Sequence, residues 1–233
     1  MPRPPLIAIG MLSACVLAYE VLLTRLLSIV LWHHFAYMII SAAMLGYGAS
    51  GTALTLLKDR VASHVGVAYV IATAGMAVLM PAAFLLAQHV PFNPLELLWD
   101  NTQFSGLLAI YLLMMAPFFC GGLGMGLVMW HFANQAGRVY AYDILGAGIG
   151  SLGIIAILFL VPPHKALTLV TALALLATAV AEHFVNDVED FQHHAHPFFS
   201  VRLQLADFGH SVVHVLFERN VPDHCGQSLQ RRR

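Results

Sequence analysis

Read for apolar and polar positions, the chain resolves into six long apolar segments, at residues 6 to 31, 33 to 57, 65 to 88, 104 to 130, 139 to 161 and 165 to 184. Each approaches or exceeds the roughly 20 residues a helix needs to cross about 30 Å of hydrocarbon. None shows the alternation of a membrane strand, and lipid offers backbone groups no partner, so the pattern predicts an all-α, polytopic membrane helical bundle of about six transmembrane helices. The first boundary is open. Residues 6 to 57 are one apolar run broken only by Glu20, Arg25 and His33-His34. A first helix ending near Thr24, with 26 to 32 in the interface, would make Arg25 a snorkelling anchor.

Basic residues set the expected orientation. Arg3, Lys58, Arg60 and Arg138 occupy the amino terminus and the second and fourth connections, whereas the opposite connections hold only Lys165. Both termini are therefore expected to be cytoplasmic, in a bacterial inner (plasma) membrane. The third connection, 89 to 103, carries Glu96 and Asp100 without a Lys or Arg, and Trp99 suits an interface there.

Composition agrees with the pattern: 59% of the 233 residues are hydrophobic and 10% charged, with a mean hydropathy of +0.77. A soluble domain has roughly 25% charged residues. A formal net charge of -1 gives no basic excess for nucleic acid. Cys15, Cys120 and Cys225 have no CxxC spacing and define neither a disulfide framework nor a zinc site. Leu12-Ser13-Ala14-Cys15 has the form of a lipobox, but Val16, Leu17 and Ala18 continue the span, so cleavage at Cys15 is not expected. Gly46-Tyr47-Gly48-Ala49-Ser50-Gly51 spells a dinucleotide fingerprint without the strand before it or the acid about 20 residues after it.

Close helix packing accounts better for the glycines. Ala42, Gly46 and Ser50 recur every fourth residue, and Gly122 with Gly126 and Gly146 with Gly150 repeat the spacing in spans 4 and 5. Small residues so spaced let a neighbouring backbone approach. A broken helix lining a path is the alternative for span 5. Pro117 lies mid-span, where a missing N–H predicts a kink.

Candidate chemistry rests on a few charges. A charge at the centre of a membrane helix costs roughly 2.5 to 3.5 kcal/mol on insertion scales. Glu20 sits some fifteen residues into the first span, and Asp143 follows Tyr140 and Tyr142 near the start of the fifth. For Asp143 the structural alternative is a first-turn acid at the positive end of the helix dipole. For Glu20 it is a neutral acid hydrogen-bonded to a neighbouring helix. Glu20 and Arg25, five residues and about 140° apart, face different neighbours. Glu20 and Asp143 should differ in depth by about 10 to 15 Å, so direct contact is not expected. Glu20, Arg25, Tyr140 and Asp143 are the intramembrane candidates.

Four patches carry a family resemblance: Ala18-Tyr19-Glu20 through Arg25; Met44-Leu45-Gly46-Tyr47-Gly48 with Ser50-Gly51; Pro117-Phe118-Phe119 with Gly121-Gly122-Leu123-Gly124-Met125-Gly126; and Gly137 through Ser151. In this order, over roughly residues 10 to 165, they resemble the membrane region of spermidine-synthase-like (polyamine aminopropyltransferase-like) transmembrane proteins. In that family the membrane region commonly precedes a cytoplasmic methyltransferase-like domain. The family often has Asn where this chain has Asp143, which separates that position from any inherited role. Only 52 residues follow Ala181, whereas a nucleotide-binding α/β domain takes about 100 or more. Catalysis by this chain alone, and any cofactor, are therefore not expected.

Residues 185 to 233 read as a cytoplasmic His-rich tail. A polar linker with His193, His194 and His196 leads to an amphipathic stretch, 204 to 219, suited to an interfacial helix. With His210 and His214 at i, i+4, the histidines are a compositional metal signal without an HExxH pattern. Arg231-Arg232-Arg233 falls short of the four to eight basic residues of a lipid-binding cluster.

Three functions follow. The preferred one is a non-catalytic membrane anchor or accessory to a polyamine-related enzyme domain encoded elsewhere, the chain being a truncated or split form of a longer enzyme or a partner of one. The second is a small transporter or channel for a cation such as a polyamine, with Glu20 and Asp143 as counter-charges. The third is metal handling by the tail histidines. Expected partners are the lipid bilayer, a separate cytoplasmic enzyme domain and further copies of the chain, without nucleic acid.

Overall fold

The computed structural model describes residues 4–30, 36–92 and 102–189. They form six long helices: α1 (Leu6–Val30), α2 (Ala36–Val61), α3 (Val65–Ala87), α4 (Thr102–His131), α5 (Ala136–Leu160) and α6 (Pro163–Glu189), with a 3-10 turn at Ala133–Gln135. All six are long and apolar enough to cross a membrane, and no strand occurs among the described residues. The chain is an all-α helical bundle and an integral membrane protein.

Four boundaries differ from the sequence reading. α1 does not stop near Thr24: Leu26 and Leu27 are buried in the core, so the helix continues past Arg25, which is exposed on its surface. α2 runs to Val61 rather than 57 and brings Lys58 and Arg60 into its last turn, where the negative end of the helix dipole favours them. α5 begins at Ala136, so Asp143 lies two turns inside and no acid occupies the first turn. α6 starts at Pro163, a residue suited to a first helical position, and continues to Glu189 through residues assigned to a linker. The tail from residue 190, with its histidines and amphipathic stretch, lies outside the described residues. So does His33-His34.

Two pairs of parallel helices organise the bundle. A Cβ on Gly146 would run into the backbone of Gly10, and one on Gly150 into that of Ala14. The matched positions advance together, so α1 and α5 run parallel with their backbones in contact. In α2 and α4, Gly46 faces Phe118, Ser50 faces Gly122, and Leu54 faces Gly126, again four residues at a time in the same direction. A Cβ on Gly46 would lie 2.9 Å from the Phe118 Cβ, closer than side chains tolerate. Dispersion between closely approaching backbones replaces the hydrophobic drive that lipid removes.

α1 is the central helix, packed on α5, α6, α2 and α4, while α3 joins α4 to α6. The α4 glycines let this happen from two sides: Gly121 faces Val16 and Met76, and Gly124 faces Leu12, Ala72 and Tyr69. At the centre, fully buried Tyr19 donates to the Met80 carbonyl at 2.9 Å and packs on Phe118 with ring centroids 5.6 Å apart. Such an interhelical hydrogen bond contributes about 0.6 kcal/mol on average. α4 and α3 continue through Pro117 and Pro81 as single helices.

Candidate functional site: an acidic cleft on α1

Two helices that flank α1, α2 and α5, pack on it but form no packed interface with each other. The strip of α1 beside them carries Ser13, which is buried, and Glu20, which is partly buried. These residues are seven apart, nearly two full turns, so they share one face of α1 at depths differing by about 10 Å. From α5, Asp143 points into this strip and accepts a hydrogen bond from Ser13 Oγ at 2.5 Å. From α2, the Tyr47 phenol lies within electrostatic reach of Asp143 and Glu20. Ser13 and Asp143 therefore meet across α1 and α5, and the Tyr47 phenol and Glu20 carboxylate lie within electrostatic range.

Local structure explains each placement. Asp143 lies on the same side of α5 as Val139, Gly146 and Gly150, which are buried, so the close approach of α5 to α1 carries its carboxylate to Ser13. Tyr47 follows Gly46, which seats α2 on α4, and its ring edge approaches Gly122. The helix beneath Glu20 is bound to itself: Thr24 Oγ1 donates to the Glu20 carbonyl at 2.8 Å, within the same turn that bonds Val21. Glu20 is partly buried and Arg25 exposed, and among the described residues no ion pair joins them.

Glu20 and Asp143 thus come into one electrostatic environment without touching. Asp143 has its own donor in Ser13, and the dipole explanation for it fails on the helix start. Tyr140, one turn before Asp143 on the same edge of α5, is 55% exposed. Arg25 is not brought to the cleft by any contact among the described residues. Gly46, Ser50, Gly122, Gly126, Gly146 and Gly150 all lie at helix contacts, so their place is in the scaffold around the cleft rather than in it.

Behind the strip the bundle is filled. Tyr19, Leu22, Leu23, Met76, Met114 and Phe118 are essentially inaccessible.

Sequence reasoning overlooked Ser13 and Tyr47. Ser13 could have been found, since it precedes Glu20 by a heptad and shares its face. Tyr47 sat inside a string dismissed as a misleading nucleotide motif. Gly10 and Ala14, the α1 half of the contact with α5, were missed because they pair across more than 130 residues. A further polar group, the Tyr69 hydroxyl, is buried without a hydrogen-bond partner, on a ring whose edge lies beside Gly124. Among the described residues no group of three or more His, Cys, Asp or Glu side chains could hold a metal ion. The histidines of the metal reading, His193, His194, His196, His210 and His214, fall outside the described residues. No family model, curated protein or solved structure matches this chain.

Proposed function

We propose that this chain is a non-catalytic membrane module that holds an organic ammonium ion, the chemical class that includes the polyamines, between Glu20 and Asp143. The observation that carries the reading is the Asp143 carboxylate inside a membrane-spanning helix, held by the Ser13 hydroxyl of α1, with a second acid, Glu20, partly buried on the same face of α1. Ionisable groups within a membrane are costly and mark binding sites or ion paths by default. A polyammonium chain, with cationic groups several carbons apart, offsets the two charges at their different depths, and the Tyr47 ring adds an attractive face for ammonium. Ser13 holds Asp143 in position. Tyr140 stands at the rim.

The filled core behind the cleft favours a binding module over an open pore. The resemblance to the membrane region of spermidine-synthase-like proteins supports the ammonium class and a role as anchor or accessory to a separate cytoplasmic enzyme domain. The placement of Lys58, Arg60 and Arg138 supports cytoplasmic termini in a bacterial inner membrane.

The test is equilibrium binding of labelled butylamine and labelled spermidine to the full chain in nanodiscs. Glu20→Gln and Asp143→Asn are each expected to weaken binding about tenfold or more, as removal of one partner of a desolvated charge pair does. Retention of neither probe above empty nanodiscs would sink the reading. In proteoliposomes, spermidine flux should not exceed that of empty vesicles, and sustained flux abolished by Glu20→Gln would make the chain a transporter instead.

A further inference from the structure

α3 and α4 each carry a proline inside the helix, and the structure brings the two to one level. The helices run antiparallel: Gly75 faces Cys120, Gly121 faces Met76, and Gly124 faces Ala72. On that register Pro81 and Pro117 lie within about two residues of each other, roughly 3 Å along the axis. A proline has no N–H to give, so the carbonyls of Ala77 and Leu113 lose their helix bonds and both helices are weakest at the same depth. The two sides of this level are held differently. On one, Gly121, Gly122, Gly124 and Gly126 fit α4 closely against α1, α2 and α3. On the other, Gly106 of α4 sits against Val90, Pro91 and Phe92, the continuation of α3, so the far ends of the two helices hold each other.

We infer that this level is a hinge, about which the far half of the α3–α4 hairpin, residues 81–92 with 102–116, turns as a unit, and that Tyr19 of α1 is its latch. Tyr19 reaches both helices at the hinge. Its hydroxyl donates at 2.9 Å to the carbonyl of Met80, immediately before Pro81, and its ring packs on Phe118, immediately after Pro117. The central helix thus grips each partner where that partner is weakest. Apolar contacts around the hinge are non-directional and let side chains slide, whereas a hydrogen bond fixes one register and one angle. Tyr19 is fully buried, so water does not replace the bond once it breaks, and the latched arrangement is favoured while the hairpin is in place. The hinge does not depend on the ammonium site.

The experiment is backbone hydrogen–deuterium exchange, read by mass spectrometry on the full chain in nanodiscs. Tyr19→Phe keeps the ring against Phe118 and removes only the bond to Met80. Exchange over residues 77–84 and 113–121 is expected to quicken about threefold, the equivalent of one average interhelical hydrogen bond. Residues 6–14 and 142–150, in the α1/α5 contact, are expected to keep their wild-type rates. Tyr69→Phe is the control: that hydroxyl is buried in the same pair of helices without a hydrogen bond, and its removal is expected to leave both hinge segments unchanged. Pro81→Ala restores the missing N–H and, combined with Tyr19→Phe, is expected to return residues 77–84 to the wild-type rate. Unchanged exchange at the hinge segments in Tyr19→Phe, or an equal rise in every helix, would overturn the hinge, as would a rise over 77–84 that persists with Pro81→Ala. An equal response to Tyr69→Phe would remove Tyr19 as the latch.

Discussion

Ser13 and Asp143 show how a single hydroxyl makes an intramembrane carboxylate tolerable. The 2.5 Å bond crosses from α1 to α5 at the point where their backbones meet, so the acid is positioned by the same contact that packs the helices. Ser13→Ala strips that donor and is expected to destabilise the fold by about 1 to 3 kcal/mol, the cost of an unsatisfied buried polar group. Asp143→Asn keeps an oxygen to accept from Ser13 and should cost under about 1 kcal/mol while still losing ammonium binding. Reversible unfolding in mixed micelles measures both, and equal stability of Ser13→Ala and the wild type would show that the bond contributes nothing. Glu20 was legible at this scale from sequence alone, because a charge fifteen residues into an apolar run is conspicuous. Its companions were not: serine and tyrosine are common in membrane helices, and only contact distinguishes those that matter.

Between helices, glycine spacing marked where contact would occur but not with what. Gly146 and Gly150 meet Gly10 and Ala14 of α1, while Gly148, in the same helix, has open space beside it. Substituting the first pair and the last should therefore separate cleanly. Gly150→Leu forces two backbones apart and is expected to lower stability by at least about 1 to 3 kcal/mol, the usual penalty for overpacking. Gly148→Leu should stay within about 0.5 kcal/mol. Unfolding curves that move equally for the two variants would contradict the α1/α5 contact. Helix ends were the least readable feature. α1 passes Arg25 because Leu26 and Leu27 still have a core to enter, and α5 starts at Ala136 although its apolar run begins only at Val139. Tertiary burial carried the first end and local backbone geometry the second, neither of which hydropathy measures.

For the whole molecule, six crossings place the connections alternately on the two sides of the membrane. In a background with Cys15, Cys120 and Cys225 replaced, single cysteines at Lys58 and Gly137 should react with an impermeant maleimide from one side and a cysteine at His164 from the other. Reaction of all three from the same side would remove a crossing from the topology. The number of spans, their helical state and the positive bias of one side followed from the sequence by itself, because the bilayer imposes length, apolarity and backbone satisfaction on each segment separately. Which helices are neighbours did not follow. Hydrocarbon solvates every apolar face about equally, so the pairing of α1 with α5 and of α2 with α4 depends on small residues matched across long separations. Only tertiary structure decided that matching. With it came the contact of Ser13 in α1 with Asp143 in α5, 130 residues apart along the chain.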